Sequence, residues 1–199
     1  EIITPYGFLQ SADIPFTIAD SQVLQKTEMT DEIPDGILRI IKSDSDKPDE
    51  KLMGAEFCLV NQTTGAICGT VITDQLGQAQ FEQQPIGYMD RDGNFKPYTY
   101  VCSETKAAPG HMLTLEPYEF QFHYRNELTD IIVWEYNPTN DSNRVITVKL
   151  SGDTEEMLDG ALLRIERRTE SGGETAEEWV SGRQGPYTTH LQEGQYRVI

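Results

Sequence analysis

The chain has 199 residues, with 16 Lys and Arg against 33 Asp and Glu, which gives a formal net charge of −17. Because a field of this sign repels phosphate backbones and anionic lipids, we expect neither nucleic acid nor a membrane as a partner of this segment. No apolar run approaches the roughly 20 residues that a membrane span needs. The length admits one large domain or two small ones.

Short alternating runs of apolar and polar residues, separated by Gly, Pro, Asn and Asp, recur along the chain. This pattern predicts an all-β fold of the sandwich type with little helix. The predicted strands span residues 15–18, 36–42, 55–60, 66–72, 98–104, 119–126, 144–150, 161–167 and 195–199.

We expect neither a metal nor a cofactor. The three cysteines are too few and too unevenly spaced for a zinc site or a disulfide framework. Cys58 and Cys68 flank a predicted hairpin turn, and we expect free thiols there, although the open register leaves a disulfide possible in principle. The acidic segment 90–94 lacks the later ligand positions of a calcium loop, so it predicts a tight turn.

Two phrases recur in altered form. A glutamate followed by small or apolar residues and a Pro and Gly turn occurs at residues 1–8 and again at 104–111, and a Leu-x-Gly-Ala segment occurs within 51–57 and 157–163. These repeats predict tandem modules. We expect the C-terminal half of one module at 1–33, a complete module at 34–129, a connector at 130–142 whose first residues could add a strand, and the N-terminal half of a further module at 143–199.

Three polar residues end the apolar rows of three predicted strands: Lys42, Glu104 and Asn126. Buried polar groups are costly unless they are paired, so these side chains should meet if the three rows face one core. A buried Lys–Glu pair with Asn as a hydrogen-bond partner would satisfy the pattern, and so would three strand ends that reach water.

The same pattern also allows a reaction. Burial lowers the pKa of a lysine, and a neutral Lys42 held against the carboxamide of Asn126 is a nucleophile beside a carbonyl. Glu104 could carry the proton and polarise the carbonyl. The product would be a Lys–Asn isopeptide bond and ammonia, formed in a single self-directed event rather than by enzymatic turnover.

The motifs resemble those of tandem Cna protein B-type domains, the prealbumin-like or SpaA-type domains of Gram-positive surface proteins and pilins. The resemblance rests on Leu-Met-Gly-Ala-Glu-Phe at 52–57 and Glu-Thr-Lys-Ala-Ala-Pro-Gly-His at 104–111, and it extends in fragments along most of the chain. It implies that Lys42 is the linking lysine, Glu104 the catalytic acid and Asn126 the acceptor.

The resemblance also assigns residues in the partial modules. It makes Glu1 an acid, Asp31 an acceptor and Lys149 a linking lysine. Lys149 is one residue out of step with Lys42 when both are measured to the following Gly-Ala.

The resemblance implies a stalk or spacer of an extracellular adhesin or pilin-like protein, anchored to the cell wall by segments outside this sequence. Its partners would be the neighbouring modules and a host extracellular matrix or glycan. An alternative is a ligand-binding module without a cross-link, in which Trp134 and Trp179 grip a carbohydrate or host protein. A conventional enzyme is the weakest reading, because the three histidines have no catalytic or metal-binding spacing.

Overall fold

The computed structural model describes residues 1–20, 24–170, 172–192 and 194–199, and within these ranges it contains strands but no helix. The predicted all-β class is confirmed. The described part of the chain accordingly has no helix that could cross a membrane. The strands are β1 (Asp35–Ile41), β2 (Ser43–Asp44), β3 (Glu56–Asn61), β4 (Ala66–Ile72), β5 (Gln78–Gln80), β6 (Gln84–Pro85), β7 (Gly87–Met89), β8 (Phe95–Pro97), β9 (Tyr100–Lys106), β10 (Tyr118–Phe120), β11 (Ile131–Tyr136), β12 (Thr139–Asn140), β13 (Arg144–Thr147), β14 (Leu162–Thr169), β15 (Gly172–Val180), β16 (Tyr187–His190) and β17 (Tyr196–Val198).

Strands β1 to β12 form the central domain, whose two main sheets bury one hydrophobic core. One sheet has the order β11-β1-β5 with β6 also paired to β1, and the other has the order β10-β9-β3-β4. Side chains alternate between the two faces of each strand, which places every second residue of β1 in the core. The core comprises Leu38, Ile40, Leu52, Ala55, Phe57, Leu59, Phe81, Ile86, Tyr100, Cys102, Ala108, Phe120, Phe122 and Ile132.

The first and last long strands of the central domain lie side by side. β1 pairs in parallel with β11, with Asp35 opposite Ile131, and β2 continues this pairing in parallel with β12. Both β11 and β12 lie within the predicted connector 130–142, whose first residues were expected to be able to add a strand, and they extend the sheets of the central domain. A parallel pair joins segments that are distant in sequence, so no local turn signal marks it.

Most of the other predicted strands are present with shifted ends. The strand predicted at 119–126 is shorter than expected, since β10 ends at Phe120. The strand predicted at 15–18 is wrong, because the described residues of 1–33 form no strand, and Phe16 and Ile18 are exposed there. An alternating pattern without a neighbouring strand cannot satisfy its backbone hydrogen bonds as a sheet.

The β3–β4 hairpin settles the question of the cysteines. Cys58 lies opposite Thr70, and the pairing shifts between Leu59 and Val60, which leaves Cys68 at the irregularity. All three cysteines are free thiols, as expected.

The turn predicted within 90–94 joins β7 to β8. The carboxylate of Asp90 accepts backbone hydrogen bonds from Asp92 (3.0 Å) and Asn94 (2.8 Å), which confirms a tight turn.

Residues after the central domain form two further small sheets, β13 with β16 and β15-β14-β17. Leu163 and Ile165 on β14 are the buried hydrophobic residues of this segment.

Candidate functional site

Lys42 follows β1 directly and continues its inward-facing row, so its side chain is fully buried. Its Nζ lies 3.3 Å from Glu104 Oε1 and 5.7 Å from the centre of the Phe57 ring. Desolvation lowers the pKa of Lys42, and the neighbouring Glu104 opposes this effect only in part. The site therefore favours the neutral, nucleophilic amine more than water does.

Glu104 reaches Lys42 from the opposite sheet. It lies on β9 and pairs with Phe57 of β3, which directs its nearly buried carboxylate into the same end of the core. Its Oε2 accepts hydrogen bonds from the backbone N–H of Thr114 at 2.9 Å and from Asn140 Nδ2 at 2.8 Å.

Asn140, on β12, completes the cluster. The side chain of Asn140 is buried. In the pairing of β12 with β2, Asn140 lies opposite Asp44, which is two residues beyond Lys42 and therefore faces the same side of the chain as Lys42. A long side chain reaches such a diagonal neighbour. Besides Glu104, the Asn140 Nδ2 donates to Thr114 Oγ1 at 2.9 Å.

Three buried side-chain atoms have no hydrogen-bond partner among the described residues: Lys42 Nζ, Glu104 Oε1 and Asn140 Oδ1. All three belong to this one cluster. Lys42 Nζ and Glu104 Oε1 form an ion pair at 3.3 Å without hydrogen-bond geometry, and Asn140 Oδ1 accepts no hydrogen bond. Buried polar atoms without hydrogen bonds are costly, so their gathering at one place calls for an explanation beyond stability. An amine, a carboxamide carbonyl and a carboxylate are the groups that an amide exchange requires.

Asn126 does not join the cluster, so the prediction that it meets Lys42 and Glu104 is wrong. It is exposed, and its Oδ1 accepts hydrogen bonds from the backbone of Leu128 (2.9 Å) and the hydroxyl of Thr129 (3.1 Å). The chain has left the sheet before residue 126 and turns there toward β11. The alternation of inward-facing and outward-facing residues therefore does not extend from Phe122 to Asn126.

Ser11 bridges Glu1 and Asp31. Glu1 Oε2 accepts the backbone N–H of Ser11 at 3.2 Å, and the Ser11 hydroxyl donates to Asp31 Oδ1 at 2.5 Å. The backbone around them repeats the central domain as well. Leu9 N donates to Glu32 O at 2.7 Å, as Met112 N donates to Asp141 O at 2.8 Å.

Backbone pairing places Lys149 at the position that corresponds to Lys42. Leu158 N donates to Lys149 O at 2.9 Å, just as Leu52 N donates to Lys42 O at 3.1 Å. The next residues also form matching bridges, Leu150 with Met157 and Ser43 with Lys51. The one-residue offset in sequence is therefore taken up by the loop. Unlike Lys42, the Lys149 side chain is exposed in this structure.

Sequence reasoning missed Asn140 and Thr114, although a signal for Asn140 was present. Thr139-Asn140-Asp141 has the same pattern as Thr30-Asp31-Glu32, a threonine, then Asn or Asp, then an acid. Thr114 follows Glu104 by 10 positions in the sequence, and Ser11 follows Glu1 by the same number, so this equal spacing is the signal for Thr114.

Residues 36–135 match the family model described as SpaA, prealbumin-like fold domain. The chain belongs to this family. The family comprises structural domains rather than enzymes, and the match covers Lys42 and Glu104 together with β2 to β10 and most of β1 and β11. Asn140 lies just beyond the matched residues, so its place in the SpaA domain follows from the pairing of β12 with β2.

Several solved structures resemble the chain. The TIE protein of Bacillus anthracis superposes with a TM-score of 0.62 at 21% identity, over 99% of this chain and 34% of that one. The shaft pilin SpaA of Lactobacillus rhamnosus GG gives 0.40 at 18% identity, over 69% of this chain and 62% of that one. BcpA, the major pilin subunit of Bacillus cereus, gives 0.43 at 18% identity, over 68% and 43%.

The chain thus spans about a third of the TIE protein and less than two thirds of either pilin. At 21% identity, the likeness to the TIE protein supports the fold. A comparison with curated proteins finds no matching sequence.

Proposed function

We propose that this chain is part of a structural stalk of a Gram-positive surface protein, built from tandem SpaA domains that are locked by intramolecular isopeptide bonds. In the central domain the bond joins Lys42 to Asn140. The observation that carries this proposal is the buried cluster of Lys42, Glu104 and Asn140, in which the amine nitrogen and the carboxamide oxygen both lack hydrogen-bond partners.

The reaction follows from the geometry. The neutral amine of Lys42 attacks Cγ of Asn140, so that an Nζ–Cγ bond forms and the Cγ–Nδ2 bond breaks. Glu104 contacts both the attacking and the leaving nitrogen, through Oε1 and Oε2 respectively, and carries the proton from one to the other. Ammonia leaves and Glu104 is regenerated. Holding the three groups together in a water-poor core supplies the high effective concentration that amide exchange needs.

The bond would suit a protein under mechanical load. It would connect the end of β1 to β12, the strands that begin and end the central domain. A force along the chain would then pass from residue 42 to residue 140 without loading the segment between them. The cross-link would also restrict the unfolded chain, as a disulfide does.

We extend the proposal to the flanking segments. Glu1 and Asp31 have the acid and acceptor positions of a second site, because their contacts through Ser11 match those of Glu104 and Asn140 through Thr114. Lys149 has the linking position of a third site, on the strength of its backbone pairing.

Neighbouring domains are the proposed partners, and contacts at both ends of the central domain support this. Tyr6 packs edge-on against Phe95 and Tyr124, with ring centres 5.8 and 4.9 Å away. At the other end Arg144 forms an ion pair with Asp46 at 3.1 Å. We place the protein outside the cell, with wall anchoring by other segments and a host matrix protein or glycan as its target.

Trp134 and Trp179, the residues named for the ligand-binding alternative, are half-buried and each contacts a tyrosine. The Trp134 indole donates to the hydroxyl of Tyr118 at 3.0 Å, and Trp179 stacks on Tyr187 with ring centres 4.4 Å apart.

Intact mass of the full chain tests the proposal. The parent chain should be lighter than its sequence by one ammonia, and digestion should yield a branched peptide that joins residues 42 and 140. Glu104→Gln keeps the side-chain shape but removes the proton carrier, so it should have the full sequence mass. Asn126→Ala is the matched control and should still lose ammonia. A parent chain of full mass, with Lys42 open to acetylation after unfolding, would refute the proposal.

A further inference from the structure

Thr114 touches both partners that Lys42 needs. It lies between β9 and β10 and is half-buried. Its backbone N–H donates to Glu104 Oε2 at 2.9 Å, and its Oγ1 accepts from Asn140 Nδ2 at 2.9 Å. The hydroxyl proton points to the carbonyl oxygen of Thr139, 3.3 Å away, which leaves an oxygen lone pair free for the carboxamide.

The same arrangement occurs a second time with different residues. Ser11 also follows its glutamate by ten positions, and its backbone N–H donates to Glu1 Oε2. Its hydroxyl contacts both Asp31 Oδ1 and the carbonyl oxygen of Thr30, at 2.5 and 2.7 Å. The two sites thus share a hydroxyl and a backbone N–H, whereas the side chains differ at both the hydroxyl residue and the acceptor.

We propose that Thr114 is a positioning residue of the cross-linking reaction, and that Ser11 has this role at the Glu1–Asp31 site. This inference rests on the proposed function. The Thr114 backbone N–H fixes the Glu104 carboxylate, and its hydroxyl fixes the Asn140 carboxamide, so that the leaving nitrogen faces Glu104. Thr114 neither gains nor loses a proton in the reaction, since Glu104 carries the proton from Lys42 to the leaving ammonia.

A hydroxyl group explains how the same arrangement can hold either an Asn or an Asp as the acceptor. It can accept a hydrogen bond from the nitrogen of Asn140, and it can donate one to the carboxyl oxygen of Asp31. An Asn acceptor releases ammonia and an Asp acceptor releases water. A purely accepting or purely donating side chain would suit only one of them.

Three variants of the 199-residue chain test the role of Thr114. Thr114→Val replaces the hydroxyl by a methyl group and keeps the backbone N–H, Thr114→Ser keeps the hydroxyl, and Lys42→Arg prevents the bond. The chains are made by cell-free synthesis, and the loss of ammonia is followed by intact mass over time. We expect Thr114→Val to react about tenfold more slowly than the parent, as the loss of one hydrogen bond to the reacting group implies. Thr114→Ser should react at a rate close to that of the parent.

The outcomes separate this inference from the proposed function. If the parent itself never loses ammonia, the proposed function fails and this inference fails with it. If the parent reacts and Thr114→Val reacts equally fast, or Thr114→Ser is as slow as Thr114→Val, the positioning role alone is refuted. Folding is compared by circular dichroism in the Lys42→Arg background, where no bond forms. If Thr114→Val is unfolded there, Thr114→Ala replaces it in the same comparison.

Discussion

Removing the acceptor should expose how much of the stability depends on the cross-link. Asn140→Ala prevents the bond between Lys42 and residue 140, which would close a loop of roughly 100 residues. A cross-link over a loop of that length contributes about 5 kcal/mol by restricting the unfolded chain. The hydrogen bonds of Asn140 Nδ2 to Glu104 and Thr114 do not add to this loss, because Nδ2 leaves as ammonia when the cross-link forms.

The total loss should therefore be about 5 kcal/mol. For a domain of this size, the cross-link contribution alone corresponds to a fall of about 20 °C in the unfolding midpoint. The assay is thermal and urea unfolding followed by circular dichroism, with the intact mass of each sample recorded. Asn126→Ala is the control, since Asn126 only caps an exposed turn, and it should cost about 1 kcal/mol or less.

A double-mutant cycle separates the bond from the hydrogen bonds. Lys42→Met cannot form the cross-link, so in that background Asn140→Ala should cost only about 2 kcal/mol, the value of its two hydrogen bonds. Since Asn140→Ala costs about 5 kcal/mol in the cross-linked parent, the coupling between the two substitutions should be about 3 kcal/mol. Equal costs of Asn140→Ala in both backgrounds would refute the argument that a covalent bond links these residues.

Two further substitutions test the packing and the electrostatics of the central domain. Gly36→Ala would place a Cβ 2.5 Å from the buried ring of Phe122 and should destabilise the domain by about 2 kcal/mol, whereas Gly152→Ala meets no atom within 4 Å and should be nearly neutral; equal urea midpoints would contradict this. Asp44 is subject first to burial, which raises its pKa, but hydrogen bonds from the Lys47 backbone, His111 and the Asp46 backbone outweigh it and lower the pKa. The carboxylate therefore stabilises the fold above its unfolded pKa of about 3.9, and this contribution is lost as the pH falls through the lower folded value. The stability deficit of Asp44→Asn in urea unfolding should shrink over that acidic range, and a deficit independent of pH would contradict the assignment.

Local signals were sufficient for the strands that pair with neighbours in sequence. β3 and β4 are joined by a short turn, and both were predicted from alternation and turn residues. Lys42 and Glu104 were also found, because each continues the inward row of a strand that is regular up to that residue. In these cases the sequence pattern and the structure depend on the same short-range geometry.

The proposed acceptor shows where the local pattern stops being informative. Asn126 and Asn140 both follow apolar, aromatic-rich segments, so alternation alone does not distinguish them. The difference is that β12 pairs with β2, next to Lys42, whereas residue 126 lies in a turn outside the sheet. Parallel pairing of distant strands is set by how the whole core closes, which no window of residues contains.

The sequence by itself determined the all-β class and the repeat of the glutamate motif, and it predicted that Lys42 and Glu104 face the core. The alternation of a strand and the residues that form turns are local properties, so they can be recognised in the sequence. Only the tertiary structure decided that Asn140 joins the buried cluster of Lys42 and Glu104, that Thr114 contacts both Glu104 and Asn140, and that the backbone pairing of Lys149 matches that of Lys42. Each of these depends on segments that are far apart in the chain and are brought together by the burial of a shared core.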